Sequence, residues 1–102
     1  MANNDSYYHE LHNQPVIVNT RSTSYVGVLQ YDGNDVLKLR PSIVHEPRMS
    51  LDRNKEVKSR PYYRLEVNKP TIINTLDVQT VQPTTTQHID DLIKFSKRQD
   101  GK

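Results

Sequence analysis

The chain has 102 residues, no Cys, no Trp, 25% charged residues and a formal net charge of +2, which is the size of one domain and too short for two independent hydrophobic cores. Leu, Ile, Val and Phe together number 25, just above the level at which chains stay disordered, so the single core is expected to be thin and a lone subunit marginal. Absent cysteine excludes disulfide frameworks, thiolate nucleophiles and Cys-based zinc sites, and +2 is too small by itself to argue for nucleic acid.

Met1 to Glu10 lacks the basic start, apolar run and small-residue cleavage site of a secretory signal, and no stretch approaches eighteen apolar residues. The expected location is therefore cytoplasmic, with no membrane partner. Ser6 is a candidate N-cap, and Tyr7, Tyr8 and Leu11 share one face of a one- or two-turn helix. Asn13-Gln14-Pro15 stops it, because proline has no N–H to give a helix and holds its predecessor extended.

From Val16 the residues become β-branched and aromatic. Val16-Ile17-Val18 and Tyr25 to Tyr31 read as a hairpin around the polar turn Thr20 to Ser24. Gly27 in mid-strand predicts a bend, a bulge or a close backbone approach. Asp32-Gly33-Asn34-Asp35 is a tight-turn signal, since these residues tolerate positive φ. It leads into a third strand from Val36 to Val44, passing Pro41.

Residues 45–59 hold Pro47 and a charge run, and are expected to form a long, mobile, exposed loop. The middle of the chain is its basic part: residues 40–69 carry eight bases and four acids. Such a segment can follow a phosphate backbone, although its interleaved acids also suit a plain solvated loop. Tyr62 to Val67 reads as a fourth strand with Pro61 at its start, and Thr71 to Leu76 as a fifth, extendable through Val78 and Val81. Thr86 is the expected cap of a helix from about Gln87, with Ile89, Leu92, Ile93 and Ser96 on one stripe. Asp90 and Asp91 near its start, and Lys94, Lys97 and Arg98 near its end, suit the helix dipole. A helix this short must dock that stripe on the strands or on a neighbour.

A short helix, then five strands, with a Gly in the second strand and an Asp-containing turn after it, resembles the Sm/LSm family. Leu11 to Val18 is similar to the family's passage from helix into first strand. Gly27, Leu29, Asp32, Asn34 and Leu37 echo its first motif, although the turn is shorter and lacks the family's Met. In the second motif Asn68 and Lys69 stand where relatives have Arg-Gly. The resemblance spans roughly residues 6–76. It implies an all-β fold: a small, five-stranded, strongly bent, partly open barrel with SH3-like topology and a helix at each end. The barrel domain covers 1–83, and a helix and tail cover 84–102.

The resemblance also implies that the fourth strand of one copy pairs with the fifth of the next, so that unpaired sheet edges are satisfied in a homo-oligomeric ring of about five to seven subunits. Tyr63, Leu65, Val67, Ile72 and Ile73 would form the subunit interface. Relatives bind single-stranded RNA, and the matching positions here are Tyr31, Asp32, Asn34, Asn68 and Lys69, with Tyr31 stacking a base, Asn34 reading its edge and Lys69 near a phosphate. The alternative for Tyr31 is that it closes the core. Two rivals stand beside an RNA-binding ring of cytoplasmic or viral origin. One is an architectural or protein-binding ring. The other is a free-standing SH3-like or OB-like barrel.

No catalytic or metal-binding role is expected. His9 and His12 lie three apart without a third ligand, and neither His45 beside Glu46 nor His88 near Asp90 and Asp91 has a nucleophile placed by a recognisable motif. Three glycines cannot make a phosphate-cradling loop. Neither a cofactor nor a small-molecule substrate is expected.

Overall fold

The computed structural model describes residues 5–46, 48–51, 53–60 and 62–100. In chain order they form α1 (Asp5–Glu10), β1 (Pro15–Thr20), β2 (Ser24–Gln30), β3 (Val36–His45), β4 (Arg48–Leu51), β5 (Val57–Arg60), β6 (Tyr63–Glu66), β7 (Thr71–Asn74), a 3₁₀ turn (Thr75–Asp77), β8 (Val78–Pro83) and α2 (Thr86–Asp100). The fold is mostly antiparallel sheet with two helices. One sheet runs β6-β3-β2-β1-β8, with β7 also paired to β3, and β4 and β5 pair with each other. The sheet does not close into a barrel: β6 and β7 end it on one side and β8 on the other.

Alternation sends the strands' apolar residues to two faces. Val16, Val18, Leu29, Leu37, Leu39, Ile73 and Val81 form the main core, joined by Tyr8 from α1, by Leu11 from the turn after it and by Tyr31. The opposite face carries Val26 and Ile43, against which Ile89 of α2 is buried, with Leu92 and Ile93 beside it. The C-terminal helix therefore docks its apolar stripe on its own sheet. Its cap is Thr85, one residue earlier than expected: the Thr85 hydroxyl accepts the His88 N–H at 3.1 Å.

Gly27 does what its place in β2 predicts. The β2–β3 register shifts between Gly27 and Leu29, and a Cβ at Gly27 would lie 2.2 Å from the Pro41 carbonyl oxygen. The strand can curve there only because no side chain intervenes.

Two expectations are corrected. First, much of the predicted loop over 45–59 is the hairpin β4–β5, in register from Arg48↔Arg60 to Leu51↔Val57. It continues the β3–β6 ladder outward, since the Glu46 N–H reaches the Tyr62 carbonyl at 2.7 Å. Charged residues concealed its pairing. The proline read as opening the fourth strand, Pro61, lies outside the described residues. Second, the predicted fifth strand divides. Thr71–Asn74 pairs with β3, from Leu39↔Thr71 to Val36↔Asn74, so β6 and β7 lie in succession along one strand. The strand that crosses to β1 is Val78–Pro83. The break is the 3₁₀ turn, whose N-cap Asn74 accepts the Leu76 N–H at 2.9 Å.

Candidate functional site

The turn after β2 is built from the residues that mark it. Gly33 and Asp35 have φ of 90° and 61°, a region that Gly, Asn and Asp occupy most readily. The Asp32 carboxylate accepts the Asn34 N–H at 3.2 Å and lies 3.5 Å from the Lys38 ammonium. Partial desolvation pushes the Asp32 carboxyl up, but the Lys38 charge and the hydrogen bonds from Asn34 and Lys38 together hold it below the ordinary carboxylate value.

Tyr31 opens this turn yet is only 6% exposed. Its ring meets Tyr8 and His9 edge-on, at centroid distances of 5.2 and 4.8 Å, and its N–H donates to His12 Nδ1 at 3.0 Å. It closes the core, the alternative weighed above, and its buried ring offers no open face on which a base could stack. Asn34 is exposed at the turn. Asn68 and Lys69 are exposed in the break between β6 and β7. Thr71 pairs with Leu39, so they lie at the end of β7 farther from the turn, roughly 10 Å or more along the strand from Val36.

The turn's actual neighbour is the end of β7. The Thr75 N–H and Thr75 hydroxyl both reach the Asp35 carbonyl at 3.1 Å. Sequence reasoning missed Asn74 and Thr75. The available signal was Asn-Thr-Leu-Asp, a cap-and-turn string within an apparently continuous strand.

The edges of the sheet are treated in three ways, and the alternation of an antiparallel ladder shows which groups face outward. At β6 the Glu46–Tyr62 bond makes Tyr63 and Leu65 the positions turned away from β3. There α2 covers the edge: the Ser96 hydroxyl donates to the Tyr63 carbonyl at 3.2 Å, Phe95 meets the Tyr63 ring at 5.4 Å, and Leu65 packs in the α2 cluster. At β8 the Thr84–Pro15 bond turns the main-chain groups of Val81 and Pro83 outward. The Tyr7 hydroxyl occupies the Val81 carbonyl at 3.0 Å, and Pro83 has no N–H to offer. At β7 the Thr75–Asp35 bond turns the main-chain groups of Ile72 and Asn74 outward, and no ladder covers them among the described residues.

Apolar exposure gathers at the bare edge. Ile72 is 62% and Leu76 88% exposed, with Val67 at 48%. Of the five residues expected at a subunit interface, Val67 and Ile72 therefore present their side chains. Tyr63 and Leu65 pack against α2, and Ile73 is buried in the main core. Beside β7 is a hollow of about 260 Å³, lined among others by Arg21, Tyr25, Ile72, Asn74 and Asp77. Comparison with protein-family models and with curated proteins finds no match.

Proposed function

We propose that the chain is a self-assembling structural module of Sm-like layout, in which β7 of one copy pairs with β8 of the next and the succession closes into a ring. One observation carries this reading: the sheet ends in an uncovered edge at β7 that also exposes Ile72 and Leu76. Outward N–H and C=O groups beside apolar side chains form a template for another strand, and natural domains leave such an edge uncovered chiefly where something pairs with it. Burying Ile72 and Leu76 is worth about 1.5–3 kcal/mol each, a large addition to a small domain's marginal stability. A head-to-tail contact uses two different surfaces, here β7 and β8, and closes only by rotation.

The reading favours an architectural ring over an RNA-binding one, because the five positions matched to RNA contacts fall in two separate places, the turn after β2 and the break between β6 and β7, and Tyr31 is in the core. Native mass spectrometry at low micromolar concentration is the test. A closed oligomer of one defined stoichiometry is expected, and a folded single subunit would contradict the reading.

A further inference from the structure

We infer that the β4–β5 ribbon is a nucleic-acid-binding arm that seats in a groove of a duplex. The inference goes beyond self-assembly and does not rest on it. The ribbon forms a two-stranded sheet of its own. Its two strands pair with each other and extend the β3–β6 ladder outward, and the molecule measures 50 × 28 × 21 Å with a radius of gyration of 15.1 Å, against about 13 Å for a compact chain of this length. A two-stranded ribbon on its own is marginal in water, so a partner would stabilise it.

Charge identifies the partner's chemistry. Residues 48–60 carry five bases and two acids, a net of +3, whereas the remaining 89 residues carry nine bases and ten acids. The chain's entire positive excess lies in this one projection, where it can follow a phosphate backbone. In the connecting turn Arg53 and Lys55 are exposed, and neither forms an ion pair among the described residues. Leu51 and Val57 are register partners next to the turn, exposed at 69% and 61%, so an apolar pair is available for sugar or base edges. Two strands about 4.8 Å apart fit a major groove about 12 Å wide, which admits such a ribbon. A basic apolar-tipped ribbon also suits an anionic lipid surface, but one apolar pair is far less than the apolar face by which interfacial segments anchor.

Fluorescence anisotropy of the full chain with a labelled 20-base-pair DNA duplex tests this. Binding is expected at 50 mM salt, weakening roughly 40- to 150-fold by 200 mM for three or four phosphate contacts. Arg53→Glu with Lys55→Glu should weaken it at least tenfold with an unchanged circular dichroism spectrum. The same charge change on α2, Lys94→Glu with Lys97→Glu, should weaken it less than threefold. Absence of duplex binding at 50 mM salt would overturn the inference, as would equal losses from both double variants, a single strand bound as tightly as the duplex, or binding to phosphatidylserine vesicles in place of the duplex. Because the oligomeric state is read separately, failure here leaves the assembly proposal standing, and the reverse.

Discussion

β6 and β7 lie one after the other against the same strand, β3, yet their outer edges have opposite fates. Along β6 the outward Tyr63 carbonyl receives the Ser96 hydroxyl, and α2 lies over Tyr63 and Leu65. Along β7 the outward groups of Ile72 and Asn74 join no ladder among the described residues, and Ile72 is 62% exposed. An exposed strand edge invites pairing, and covering it with a helix is one standard defence. This chain applies that defence to one half of an edge and not to the other, and the proposed assembly rests on that asymmetry.

The largest loss is expected where β2 approaches β3 most closely, at Gly27, beside the strand that both segments pair with. Gly27→Ala places a Cβ against the Pro41 carbonyl oxygen, and should cost about 3 kcal/mol and lower the melting temperature by roughly 12 °C or more. An unchanged thermal transition would show that the close approach does not shape the strand. Ile89→Ala comes next. Ile89 is 3% exposed at the centre of the α2 contact, and its truncation should cost about 2–4 kcal/mol in chemical denaturation. It should also promote heterogeneous association as the β6 edge loses its cover. Stability lost with no change in association would mean that α2 packs without guarding the edge.

Smaller changes sharpen the contrast. Ser96→Ala removes the Ser96 hydroxyl's hydrogen bond to the Tyr63 carbonyl, at about 1 kcal/mol in urea unfolding. Tyr7→Phe frees the Val81 carbonyl on β8 and should tighten self-association in a sedimentation dilution series while moving stability by less than about 1 kcal/mol. Weaker association would show that Tyr7 belongs to the interface and does not obstruct it. The smallest effect concerns pH. The Asp32 carboxyl is held below its ordinary value, so its support of the turn is complete above the unfolded carboxyl's range and is lost as pH falls through the lower folded value. The Asn34 amide resonance should accordingly move on acidification from about pH 5 to pH 3, and the movement should shrink in Asp32→Asn.

The elements with a local chemical cause were legible in the sequence. Proline at position 15, glycine at 27, the Asp-Gly-Asn-Asp turn and the 3.6-residue stripe Ile89-Leu92-Ile93-Ser96 each mark a constraint carried by neighbouring residues. What stayed hidden depends on distant partners. The string Thr71 to Val81 is rich in Thr, Ile and Val on both sides of Asn-Thr-Leu-Asp, and its division at Thr75 is fixed by the Asp35 carbonyl, a group forty residues away. The hairpin β4–β5 was concealed by Arg, Lys, Asp and Glu residues, whose low strand propensity outweighed Met49, Leu51 and Val57. Side-chain direction was equally hard to read for the candidate site. Tyr31 sits at a turn, where exposure is the ordinary expectation, and is drawn inward by Tyr8 and His9 from α1 and by His12 from the turn after it.

The bare edge of β7 is tested most directly by Ile72→Pro. Proline removes the Ile72 N–H, which points away from β3 and joins no ladder within the subunit, so the subunit's own sheet loses no hydrogen bond. Analytical ultracentrifugation should then show the unaltered chain as a closed oligomer and the variant as a single folded subunit with the same circular dichroism spectrum. If the variant assembles as the unaltered chain does, or if the unaltered chain sediments as a folded monomer at low micromolar concentration, β7 is not the assembly edge.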